Sequence, residues 1–104
     1  MESFQVRGKV TKRAAGQRKQ AINGVNASGD LEILTERLLP EDESLVEVNT
    51  AVTGFRQIWE AVIEDFFSRA SPGGLRFSVN DGGARPETVG LRLMQSVRLM
   101  ESES

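Results

Sequence analysis

Phe55, Ile58, Trp59, Val62, Ile63, Phe66 and Phe67 recur at intervals of three and four, which traces one continuous face of an α-helix. Arg56, Gln57, Glu60, Glu64 and Asp65 fall off that face. The spacing predicts a helix over 55–67, with Thr53 placed to cap it. Four of the six aromatic residues lie on the stripe, so it is expected to supply most of the core. Each large side chain is worth roughly 1.5–3 kcal/mol when fully buried.

Alternation of period two takes over on both sides of the helix. Val46, Val48, Thr50 and Val52 share one face of a strand predicted over 45–52, and Leu75, Phe77 and Val79 alternate with Arg76, Ser78 and Asn80. Strand, helix, strand is a crossover unit, and the two strands, if neighbours, run parallel with a right-handed connection. Leu31 to Leu39 reads as another strand, followed by the turn Pro40-Glu41-Asp42-Glu43-Ser44. With 45–52 it predicts an antiparallel hairpin. Short strands are expected at Ser3–Arg7 and Ala21–Val25. Ser71-Pro72-Gly73-Gly74 ends the long helix, and Asp81-Gly82-Gly83-Ala84 makes a second glycine turn. Val89, Leu93, Val97 and Met100 fit a second helix opened by Pro86. A strand fits nearly as well, but Pro86, Glu87 and the Leu-Met-Gln content favour the helix, and Gly90 alone opposes it. The fold class is α+β: a single two-layer domain, a mixed sheet of about four strands with two helices packed on one face.

Composition narrows the chemistry. The 104 residues suffice for one modest core. No cysteine and no histidine are present, so thiolate nucleophiles, zinc-thiolate sites and Ser-His-Asp triads are excluded. The adjacent acids Glu41-Asp42-Glu43 lack the spacing of a calcium loop, and no metal site is expected. No apolar run approaches the roughly 18 residues of a membrane span, and Met1-Glu2-Ser3-Phe4 does not open like a signal peptide. A soluble cytoplasmic domain is the expectation. Charge is uneven. Residues 1–20 hold Arg7, Lys9, Lys12, Arg13, Arg18 and Lys19 against Glu2 alone, whereas the remainder is acidic. Gly8 to Gln20 reads as a mobile loop or arm, either a solvated linker or a docking segment for an anionic partner. With only Phe4 nearby, a stacking surface for single-stranded nucleic acid is poorly supported.

Gly24-Val25-Asn26-Ala27-Ser28-Gly29-Asp30 is small and polar and divides the basic region from the regular patterning. Gly29 tolerates positive φ and Asp30 can bond back to nearby backbone, so the segment reads as a tight turn presenting the Ser28 hydroxyl. On the residues alone, such a serine either solvates the turn or is a site another protein reaches. The run from Gly24 to Leu34 resembles the malonate decarboxylase acyl carrier subunit, and more distantly the citrate lyase acyl carrier subunit. The similarity continues through Val46–Val52, Gly54, Trp59, Phe67 and Leu75–Val79. It then takes in Asp81, Gly83-Ala84, Pro86, Val89, Leu91-Arg92-Leu93 and Gln95, and spans roughly residues 21–100. Ala27 departs from it, standing where the decarboxylase family commonly has glycine.

The resemblance implies that Ser28 carries 2′-(5″-triphosphoribosyl)-3′-dephospho-coenzyme A through a phosphodiester, with Gly29 and Asp30 shaping the attachment turn. The thiol of that group would hold acetyl or malonyl as a thioester, so a chain without cysteine could serve acyl chemistry. It implies no catalytic residue here. The implied partners are the acyl transferase and decarboxylase subunits and a transferase that installs the group, with no membrane and no nucleic acid. Residues 1–20 then read as a basic N-terminal arm, partly ordered, and 21–104 as the acyl-carrier α+β domain. Two alternatives stay open: a citrate lyase-type carrier, and a non-enzymatic module docking an anionic partner through residues 7–19.

Overall fold

The computed structural model describes residues 2–23, 31–70 and 72–102. Its elements are β1 (Glu2–Lys9), β2 (Gln20–Asn23), β3 (Leu31–Arg37), β4 (Glu43–Thr50), α1 (Arg56–Arg69), β5 (Leu75–Asp81) and α2 (Pro86–Glu101). They form a five-stranded sheet in the order β1-β4-β5-β3-β2 with both helices on one face. The α+β class and the two helices are as the sequence predicts, with one strand more than expected.

β4 and β5 pair in parallel across α1, the crossover the pattern predicted, and every other neighbouring pair is antiparallel. The expected hairpin between β3 and β4 does not form, because β5 lies between them. Burial explains the insertion. Leu75, Phe77 and Val79 are completely buried, so β5 belongs at the sheet centre, while the more polar β1 and β2 take the edges. The backbone at Gly74 joins both flanking strands: its N–H donates to Glu43 O and its carbonyl accepts from Leu39 N–H.

Alternation places Phe4, Val6, Ile33, Val46, Val48, Phe77 and Val79 beneath the helices. Phe77 meets Phe66 of α1 edge-on with centroids 5.3 Å apart, and Phe4 meets Trp59 at 6.3 Å. The opposite face is polar. Gln5 donates to Glu47, and Arg76 bonds both Glu47 and Glu36, a ladder across β1, β4, β5 and β3. Only part of the α1 stripe is core. Trp59, Ile63 and Phe66 are buried, but Phe55 and Ile58 stay 44% and 43% exposed. Thr53 is not the cap: the N-cap position is Phe55, and it makes no side-chain cap bond. α2 is a helix through Gly90, as Pro86 and the Leu-Met-Gln content predict.

Thr35 points its hydroxyl into this core, completely buried and without a hydrogen-bond partner among the described residues. Valine has the same shape and no hydroxyl to desolvate. Thr35→Val is therefore expected to raise stability by about 1 kcal/mol, read as a higher urea midpoint at unchanged slope. A lower midpoint would mean that the hydroxyl has a partner.

The basic segment after β1 is fastened to the end of the sheet where β5 begins. Val10 N–H donates to Asp42 O, Ala14 N–H to Gly73 O, and Gly73 N–H to Lys12 O. Ala14 is fully buried. Arg37, the last residue of β3, donates to the main-chain carbonyls of Ala14, Ala15, Arg18 and Met100, joining this segment to the C-terminus of α2. Burial, then the nearby Arg13, lowers the pKa of its guanidinium, while Glu101 partly offsets both. Half of the basic residues of 1–20 are met in space by acids: Arg7 pairs with Glu43, Lys9 with Asp42 and Arg13 with Glu41.

Candidate functional site

Ser28, Gly29 and Asp30 lie outside the described residues, but both strands leading to them are held firmly. Asn23 ends β2, and its side-chain amide donates to Arg92 O at 3.0 Å and Ser96 Oγ at 3.3 Å on α2. Leu31 opens β3, buried and in register with Asp81. The span 24–30 therefore joins two strands that the register fixes at the end of the sheet where β4 and β5 finish.

That end is built around Asp81. Its Oδ2 accepts from the Thr50 hydroxyl at 2.8 Å and its Oδ1 from Ala84 N–H at 2.7 Å. Ala51 N–H donates to its main-chain carbonyl. One nearly buried carboxylate thus ties the end of β4 to the end of β5 and turns the chain into α2. The Thr50 hydroxyl also accepts from Val52 N–H at 3.1 Å, which shapes the loop into α1. Gly54 and Gly83 adopt φ of +91° and +131° in these two loops, a conformation other residues strain to reach, and a Cβ at either would meet open space.

Between the loops lies a cavity of about 260 Å³ lined by Val52, Phe55, Trp59, Asp81, Gly83, Ala84 and Arg85. Its walls are mainly apolar, with the exposed Arg85 adding positive charge. It is a place to hold a flat or apolar group beside an anion. It has no equipment for acid–base chemistry beyond Asp81, whose oxygens are already engaged. Among the described residues, no three carboxylates cluster as a metal site, and no helix is long and apolar enough to cross a membrane.

Sequence reasoning missed this cavity. Asp81 to Ala84 reads as a turn, but an aspartate three residues before a main-chain N–H, ahead of Pro86, is also the signature of a side chain that closes that turn. Phe55 reads as core, and only its place at the first position of the stripe hints that it ends up outside.

The family model of the malonate decarboxylase delta subunit, an acyl carrier protein, matches residues 18–100. The chain belongs to this family. Among similar proteins, the malonate decarboxylase acyl carrier protein of Bradyrhizobium diazoefficiens is 56% identical over 98 residues, 94% of this chain and 93% of that protein. The corresponding protein of Xanthomonas euvesicatoria is 40% identical, covering 97% and 96% of the two chains. The fold matches a chain from the crystal structure of a Pseudomonas malonate decarboxylase hetero-tetramer in complex with malonate. The TM-score is 0.81 at 31% identity, over 96% of this chain and 99% of that one. The likeness to these malonate decarboxylase carriers extends over nearly the whole chain and includes residues before 18, so β1 and the basic segment fall within the similarity.

Proposed function

We propose that this chain is the non-catalytic carrier subunit of a malonate decarboxylase and that Ser28 bears 2′-(5″-triphosphoribosyl)-3′-dephospho-coenzyme A. The observation that carries the reading is the whole-length likeness to malonate decarboxylase acyl carrier proteins, together with the likeness to a chain of a malonate decarboxylase hetero-tetramer. When bound, the group supplies the thiol that holds acetyl or malonyl, which the chain, without cysteine, does not have. The lining fits it: an apolar cavity for a ring, with the exposed Arg85 beside it for a phosphate. The chain's part is attachment and presentation, with Asn23 and Leu31 holding the two ends of the attachment segment. Gly29 gives a transferase close access to the backbone, and Asp30 shapes the turn. Its partners are the transferase and decarboxylase subunits and the enzyme that installs the group. Tethering makes its encounters with their sites effectively intramolecular. The rival reading, a basic arm for an anionic partner, loses ground because Arg7, Lys9 and Arg13 already face acids of the loop 41–43.

Intact mass after co-expression with the native operon tests this. A single large adduct confined to the peptide containing Ser28 and absent from Ser28→Ala is expected. An unmodified chain in the presence of an active transferase and precursor would refute the proposal.

A further inference from the structure

The cavity between the β4–α1 and β5–α2 loops stands beside the strand that leads to Ser28, yet the attachment reaction itself does not require it. Leu31 pairs with Asp81, a cavity wall, and three residues of chain from Leu31 to Ser28 span at most about 11 Å. Any group on Ser28 therefore starts within reach of the cavity. We propose that the cavity is a parking site for the adenine of that group, stacked against Phe55, with Arg85 meeting an adjoining phosphate. The proposal rests on Ser28 being the attachment residue.

Three observations select the adenine over the acyl end. First, the adenosine is joined through its ribose to the phosphoribosyl next to the serine, whereas the thiol ends the pantetheine on the far side of the diphosphate. The near part can stay in place while the far part visits other active sites. Second, Phe55 lines the cavity and is partly exposed, and a base gains roughly 1–3 kcal/mol by stacking on an aromatic ring. Third, the exposed charge of the lining is positive. The Asp81 carboxylate is nearly buried and turned to Thr50 and Ala84, whereas the exposed Arg85 supplies the positive partner for a phosphate. A docked base shortens the free part of the arm and fixes the point from which it swings.

Amide hydrogen exchange on fully modified and unmodified chain, each verified by intact mass, tests this. Exchange over 52–55 and 82–85 should slow about tenfold on modification, and the fluorescence of Trp59, the only tryptophan, should fall. Phe55→Ala and Arg85→Gln alter exposed residues, so both variants should fold and accept the adduct, yet lose the protection. An adduct with no protection at these loops overturns the parking site and leaves the carrier reading intact. Protection that survives both variants overturns the assignment to these side chains. A chain with no adduct removes the carrier reading and the parking site together.

Discussion

Gly73→Ala should cost about 3–5 kcal/mol and lower the thermal midpoint by roughly 15–25 °C. A Cβ at Gly73 would overlap the carbonyl oxygens of Lys12 and Glu41. Both belong to main chain, so neither can swing aside as a side chain could. Gly73 also exchanges hydrogen bonds with the basic segment, donating to Lys12 O and accepting from Ala14 N–H. Alanine must therefore push two strands of main chain apart, and it breaks the parallel bridge between Arg13 and Gly73 as it does so. For a domain of this size the loss is a large share of the total stability. Differential scanning calorimetry measures it directly. A fall of only a degree or two would show that residues 10–14 do not pack against this turn.

Arg37→Met is expected to cost about 2–4 kcal/mol and to act on a different element first. The guanidinium serves four main-chain carbonyls in two segments, and methionine keeps the stem but none of the donors. Amides of 13–19 should exchange faster before the sheet does, because Arg37 ties that segment to α2. Lysine should recover little of the loss. Its ammonium keeps the charge but lacks the planar fork that reaches Ala14, Ala15 and Met100 together. Full recovery by lysine would show that charge, and not the fork, holds the segment. Burial lowers the guanidinium pKa from its ordinary value, but an arginine stays charged throughout the neutral range, so the effect should not vary with pH there.

The elements whose order comes from local spacing were legible in the sequence. The α1 stripe and the β4 and β5 alternation depend on residues a few positions apart, and the structure has them; that β4 and β5 run parallel was legible only on condition that they are neighbours. Strand partners were not legible. Local pattern says that β3 and β4 are strands separated by a turn, but the choice between pairing them and admitting β5 belongs to the whole core. The complete burial of Leu75, Phe77 and Val79 decides it. The same limit applied to charge. Arg7, Lys9 and Arg13 look like an unpaired basic run until the fold brings Glu43, Asp42 and Glu41 beside them from about thirty residues away. At the candidate site, Ser28, Gly29 and Asp30 were singled out by resemblance, and they lie outside the described residues. The cavity was invisible because Phe55 and Arg85 belong to loops thirty residues apart that meet only when β4 and β5 pair.

The two ends of the sheet divide labour, and this bears on the order of events in the cell. Arg37, Gly73 and the ion-paired loop 41–43 close the fold at the end where β5 begins, while Asn23 and Leu31 lead to Ser28 at the end where β5 finishes. Strands of seven residues keep these ends roughly 20 Å apart. These closing contacts are all made by described residues outside 24–30, so none of them depends on a group carried by that segment. On the attachment proposed for Ser28, the installing enzyme then meets a finished domain, and the unmodified form is a folded precursor rather than an unfolded one.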